Sequence, residues 1–241
     1  MTTFKTFINI LFILSFIPQT TFSQTNIEVE YKVIVDTEDS YIIKLSETGY
    51  LKSLIGDEIE KIDDYRFRLL INDSISSFYL SKESENQKST FTENSAKFIF
   101  SANYSGAVYN ANQSFYTFDS NMKVFSTDNH AFEWEILNET KEIDGFTAYK
   151  AKTVITIKNP AGYFNFPVVA WFCPELPYSY GPLYFDGLPG LILQLKYKAG
   201  TYEVTKINLK SDLKIDLQLF NQHKKLSSDE YIKYFDEKFN N

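Results

Sequence analysis

The chain has 241 residues, 44% hydrophobic and 17% aromatic, with 22 Phe and 17 Tyr. That is enough apolar material for one large β-rich domain. A formal net charge of -7 and no basic face exclude a nucleic-acid-binding role.

Residues 1–23 have the pattern of a secretory signal peptide: Lys5 near the start, an apolar run from Phe7 to Ile17, Pro18, and small residues at Thr21 and Ser23. The expected cut follows Ser23. The run is too short to span a bilayer. The mature chain, 24–241, is then a single domain without a transmembrane span, placed in the periplasm or secreted. Its one cysteine, Cys173, allows no internal disulfide and reads as a buried, inert thiol.

Ile27–Val35 alternates apolar and polar residues and predicts the first strand. Tyr41–Leu45 continues it after a turn. Leu51, Leu54, Ile55, Ile59 and Ile62 recur at helical spacing and predict a helix over Thr48–Asp63. Tyr65–Ile71 and Ile75–Leu80 follow as strands around Asn72-Asp73-Ser74, and Ser81–Asn94 reads as a solvated loop. Lys97–Phe100, Ala107–Tyr109, Ser114–Phe118 and Lys123–Ser126 are short strands of an antiparallel meander, separated by Asn, Asp, Ser and Gly. In Phe132–Leu137 the expected inward residues are Phe132, Trp134 and Ile136. Asp144-Gly145 predicts a hairpin turn into the long strand Phe146–Lys158.

The six prolines beyond Pro18 all fall between Pro160 and Pro189. Such density marks a path that is neither helix nor interior strand. Within it, Ala170 to Ile192 reads as a rigid apolar loop ending in Gly187-Leu188-Pro189-Gly190-Leu191-Ile192. Leu188–Leu191 fits a type II turn with Gly190 at positive φ. The loop has two readings. It closes an apolar corner over the open end of a sheet, or its Trp171, Tyr178, Tyr180, Tyr184 and Phe185 line a binding surface. After it, Leu191, Leu193, Leu195 and Tyr197 face the core, with Ile192, Gln194 and Lys196 outward. A turn at Lys198–Thr201 leads into the strand Tyr202–Leu209. Ser227 and Glu230 form a capping box for a C-terminal helix with Tyr231, Tyr234, Phe235 and Phe239 on one face.

Chemistry-bearing motifs are sparse. His130 and His223 stand apart, without ligand spacing for a metal. No nucleophile elbow, phosphate loop or dinucleotide fingerprint occurs, and no cofactor is expected. Glu175 and Asp186 are the carboxylates that the Pro-rich loop can hold in apolar surroundings, where their pKa values would rise.

Two blocks carry a family resemblance. Trp134-Glu135-Ile136, Glu139–Phe146 and Tyr149-Lys150-Ala151 form the first. Ala170-Trp171-Phe172, Glu175-Leu176-Pro177, Gly181-Pro182 and Gly187–Ile192 form the second. Together they resemble the GLPGLI family of exported Bacteroidetes proteins. The resemblance implies export and a setting near TonB-dependent outer-membrane receptors, and it assigns no catalytic residues. It also makes Asp73-Ser74-Ile75 similar to an O-glycosylation sequon. The expected fold is mainly β: one strongly curved antiparallel sheet or incomplete barrel with a helix after the first strand and a C-terminal helix. In outline this is similar to the lipoprotein carriers LolA and LolB. The expected function is a non-enzymatic envelope protein that binds a lipid or other apolar ligand, or a partner protein. The alternatives are an accessory protein of an outer-membrane receptor and a hydrolase using Glu175 and Asp186.

Overall fold

The computed structural model describes residues 26–39, 65–72, 75–81, 107–111, 114–119, 121–128, 131–159 and 162–239. The expected strands Tyr41–Leu45 and Lys97–Phe100, the expected helix Thr48–Asp63, His130 and the sequon residues Asp73-Ser74 lie outside them. The fold is mainly β, a single large curved sheet that does not close.

Twelve strands are described: β1 Asn26–Val35, β2 Phe67–Ile71, β3 Ile75–Leu80, β4 Ala107–Ala111, β5 Ser114–Asp119, β6 Val124–Asp128, β7 Glu135–Ile143, β8 Phe146–Asn159, β9 Gly162–Cys173, β10 Leu191–Tyr197, β11 Gly200–Ser211 and β12 Lys224–Ser227. Their order across the sheet is β12-β6-β5-β4-β3-β2-β1-β11-β10-β9-β8-β7. Neighbours pair antiparallel except β12 and β6, which run parallel. The helices are α1 Leu217–Gln222 and α2 Ser228–Phe239.

The hairpins follow turn chemistry. Asp144 and Gly145 both have positive φ, 49° and 78°, as a two-residue turn between twisted strands requires. Lys198 also sits at positive φ, 53°, and Tyr197 pairs with Gly200 across that turn.

Directly paired residues share a face of the sheet. Val29, Leu69, Phe78 and Val108 form one such row, and Tyr31, Phe67, Leu80 and Val204 the next. With Leu195, Ala170 and Ala151 they build the main core. Phe67 and Phe78 stack within it, ring centroids 5.4 Å apart. The opposite face is polar over β1 and β11, where Arg68 pairs with Glu28 and Lys32 with Glu203, each at 3.2 Å. Further along, the same face turns apolar. Leu70, Ile75, Tyr109, Phe118, Phe125 and Ile215 form a second core. Phe220 of α1 covers it, 5.0 Å from the Tyr109 ring and 5.5 Å from that of Phe125.

Three details differ from the sequence reading. Ile136 is exposed although it pairs with the buried Ala151 and so shares the inner face, because β7 is the edge strand and nothing covers it there. Ile192 is buried rather than outward, because a register shift lies between Ile192 and Gln194. Phe235 is exposed, although the capping box of α2 is present: the Ser227 amide donates to Glu230 Oε2 at 2.8 Å. Tyr231 anchors that helix by donating to Asp119. Helix α1 and strand β12 are additional elements.

Phe220→Ala should destabilise the protein by about 2–3 kcal/mol, because a large ring leaves a half-covered aromatic core. A urea melt followed by circular dichroism measures it. A loss within 0.5 kcal/mol, on the order of an ordinary surface change, would show that α1 does not seal the second core.

Candidate functional site

The loop between β9 and β10 spans residues 174–190. Strand β9 reaches Cys173, so Ala170–Cys173 belongs to the sheet and only the remainder is loop. Pro167 is tolerated inside β9 because β10 pairs only from Val168 onwards and needs no amide there.

The loop folds back on itself through its backbone. The Leu176 amide donates to the Cys173 carbonyl at 3.2 Å, and the Leu191 amide donates to the Leu176 carbonyl at 2.9 Å. The Gly187 amide donates to Ser179 O at 3.2 Å and the Ile192 amide to Tyr180 O at 3.0 Å. Tyr180 and Asp186 form an isolated antiparallel bridge.

The hexapeptide turn differs from the expected type II. The Gly190 amide donates to Leu188 O at 2.8 Å, so the turn closes around Pro189 alone. Gly190 has φ +152°, a region open only to glycine. A Cβ built there would lie 2.2 Å from the Cys173 carbonyl oxygen and 2.9 Å from Pro174 Cα. Both the dihedral and the close approach demand glycine. Gly181 is needed for a second reason: its Cβ would lie 2.7 Å from Ile192 Cβ.

Two side chains distant in sequence lock the loop. Trp134 Nε1 donates to Asp186 O at 2.8 Å. The buried Tyr31 hydroxyl donates to Ile192 O at 2.7 Å, and burial raises its pKa. The two sequence blocks therefore meet through a tryptophan-to-backbone bond. Tyr31 was legible only as a strand residue.

The five expected binding residues do not form one surface. Phe185 is fully buried in the main core. It stacks on Phe132 at 5.0 Å and meets Tyr197 edge-on at 5.2 Å. Tyr184 stacks on Phe185 at 4.8 Å and on Phe115 of β5 at 4.6 Å. The loop thus crosses the sheet's inner face from β9 to β5. Tyr184 donates to the Tyr197 hydroxyl at 3.4 Å, and burial raises its pKa. Tyr178 and Tyr180 are half-buried and pack against the same core.

Trp171 stands apart. Its strand neighbours Ala170 and Phe172 are buried, and its own ring lies under Lys141, Nζ 4.4 Å from the centroid. Lys141 also donates to Gln194 at 2.6 Å, and Gln194 donates to Glu203 at 2.5 Å. Burial lowers the Lys141 pKa. Trp171 therefore joins a polar network on strands β7, β10 and β11 while it also packs against the main core.

Of the chemical candidates, Cys173 is fully buried. Glu175 is exposed, while Asp186 is partly buried and desolvation pushes its carboxyl up to about 6. His223 meets Phe118 edge-on at 4.9 Å, and its Nδ1 is 3.0 Å from Leu219 O, so it is part of the α1 packing. Among the described residues no helix is long and apolar enough to cross a membrane.

The family model Porph_ging, described as a protein of unknown function, matches residues 163–194, from β9 through the hexapeptide into β10. With Gly187–Ile192 this match is consistent with a GLPGLI-type family. No curated protein matches. Two crystal structures of PNGF-II resemble the fold. The C2 form has 17% identity and a TM-score of 0.54 over 88% of this chain and 32% of its own. The P21 form has 14% identity and a TM-score of 0.53 over 87% and 33%. The chain spans about a third of the PNGF-II chains it matches. An uncharacterized conserved protein from Thermus thermophilus aligns with a TM-score of 0.34 at 6% identity, over 85% of this chain and 91% of its own.

Gly190→Val should cost more than about 4 kcal/mol, since a side chain meets backbone at a forbidden φ. Cys173→Ser buries an extra polar group and should cost about 1–3 kcal/mol. Thermal melts of both variants test this, and equal losses would remove the close approach as the cause.

Asp186→Asn should stabilise the protein at pH 8 by about 1–2 kcal/mol, after discounting for partial exposure. The sign follows from linkage. The folded pKa, about 6, lies above the unfolded value of 3.8, so the folded state holds the proton more tightly. Stability from this group is present below the unfolded pKa and is lost as pH rises through the folded one. The variant's advantage should therefore fade between pH 6 and pH 4 in melts across that window. An advantage independent of pH would contradict the assignment.

Proposed function

We propose that this protein is exported to the cell envelope and acts there by binding a macromolecular partner through its surface, without catalysis. One observation carries this reading: the loop aromatics expected to cradle a ligand serve the protein's own core. Leu183, Phe185 and Leu188 of the loop are themselves buried, and Tyr184 is stacked between Phe185 and Phe115. A small apolar ligand would have to displace this packing. The loop instead makes a rigid corner for a preformed surface, which lowers the cost of association.

Export rests on the pattern of residues 1–23, and the setting beside outer-membrane receptors rests on the GLPGLI resemblance. The likeness to PNGF-II concerns the fold and carries no activity. The raised Asp186 pKa is the one observation that favours the hydrolase alternative. Its expected partner Glu175 is solvent-exposed, which sets it against that role.

Native mass spectrometry of the chain from Gln24 onwards, recovered from the envelope of its host, should give the bare polypeptide mass. A stoichiometric apolar small molecule retained on the protein would overturn this reading in favour of a carrier.

A further inference from the structure

The β8–β9 hairpin outruns the sheet. Strand β10 pairs with β9 only as far as Val168, and β7 pairs with β8 only as far as Lys152. Beyond these points β8 and β9 pair with each other alone, from Val154–Pro167 to Asn159–Gly162. Those six residue pairs make an arm of about 20 Å at the usual rise per residue. At its base Ile155 and Phe166 still reach the main core and Thr156 pairs with Asn165 at 2.8 Å, but other apolar side chains are left open. Val154 is 58% exposed, Tyr163 71% and Phe164 42%.

We infer that this arm is a membrane-contact element whose exposed Tyr163 and Phe164 enter the interface of an anionic lipid surface. Three features select lipid over protein. First, Tyr163 and Phe164 are adjacent in a strand and so point to opposite faces of the ribbon. A strand docking on a protein presents one face, whereas exposed aromatic rings on both faces near the hairpin end suit a medium that surrounds it, with the polar Thr156–Asn165 pair lying further back. Second, Pro167 has no amide to give, which blunts β9 as a template for strand addition by another chain.

Third, the charge distribution fits. From Gly145 to Pro174 there is no Asp or Glu, in a chain with 31 acidic residues, and there are three lysines, Lys150, Lys152 and Lys158. No carboxylate on the arm has to lose its water on insertion. Lys150 and Lys152 pair with Glu139 and Glu135 at the arm's base, at 2.8 and 3.2 Å. Lys198 lies 4.8 Å from the Phe166 ring, so that cation flanks the apolar strand from its inner end. Lys158, within the arm's own sequence, then adds a positive charge that no acidic residue of the arm offsets, as an anionic surface favours. The family match begins at Tyr163, on the arm's second strand. None of the arm's exposed residues belongs to the loop on which the proposed function rests.

The test is co-sedimentation of the chain from Gln24 onwards with vesicles of phosphatidylglycerol and phosphatidylcholine. The wild-type protein should partition onto them, and more weakly onto phosphatidylcholine alone. The double variant Tyr163→Ser, Phe164→Ser should partition at least about tenfold less, with the melting temperature nearly unchanged because both side chains are exposed. Separately, Tyr163→Trp should be quenched by brominated lipid in the same vesicles. No partition of the wild type, or equal partition of the double variant, would overturn the inference. So would a variant that loses only its binding to an outer-membrane protein, which would make the arm a protein-docking element. The native mass of the protein is the same in every case, so this inference and the proposed function fail separately.

Discussion

The structure depends on one close approach. The backbone of Gly190 passes so near the Cys173 carbonyl that a single added carbon would lie 2.2 Å from that oxygen. That approach sets where β10 starts relative to where β9 ends, and Leu191 accordingly pairs with Cys173. The loop between them can leave the sheet, cross the inner face and return to its starting point only because its two ends meet there. Its amides and carbonyls are satisfied largely within the loop, so an apolar path can be buried without orphaned polar groups. The remaining demands are met from outside. Trp134 donates to Asp186 O and Tyr31 to Ile192 O.

These two bonds explain why the resemblance rests on two separated blocks. The first block supplies Trp134 just ahead of the edge strand β7, and the second supplies the carbonyl that it caps. A tryptophan at that place contributes an apolar body against Phe132 and Phe185 as well as a donor, a combination phenylalanine lacks. The pairing ties the end of the sheet that carries β7, β8 and β9 to the plug filling its inner face. The stack of Tyr184 on Phe115 extends the tie to β5. The curved sheet is thus braced across its inner face rather than by closing its edges.

Much of this was legible in the sequence, and the exceptions have physical causes. Alternation located β1, which has one buried and one more open face, and turn signals located β2, β3, β8 and β11, of which β2 and β3 are buried on both faces. Alternation misplaced Ile192, because a bulge shifts phase without leaving a compositional trace, and it gave Ile136 the inner face without showing that the edge leaves that residue uncovered. Gly190 was identified as a positive-φ glycine, yet the turn type was missed. The hydrogen bond that a type II turn would make internally goes instead to Leu176, fifteen positions before Leu191. The aromatics of the loop were the hardest case. Composition cannot distinguish a ring exposed for binding from one folded back onto its own core, and Phe185 lies on the second side of that choice while Trp171 packs on the core and also sits under Lys141. Strand β12 is short and polar, and it exists because α1 and α2 carry it to the edge of β6.

The two faces of the sheet then divide the work unequally. The inner face is filled by the loop. The outer face is salt-bridged over β1 and β11 and sealed by Phe220 over β4 to β6. Either solution covers apolar surface with the chain's own side chains, and both depend on neighbouring strands to hold the cover in place. Beyond Lys152 and Val168 those neighbours end. On the ribbon that continues, Ile155 and Phe166 still reach the main core, while Val154, Tyr163 and Phe164 are left exposed. A two-stranded ribbon gains little from its own pairing in water, so leaving Val154, Tyr163 and Phe164 exposed brings no benefit to folding.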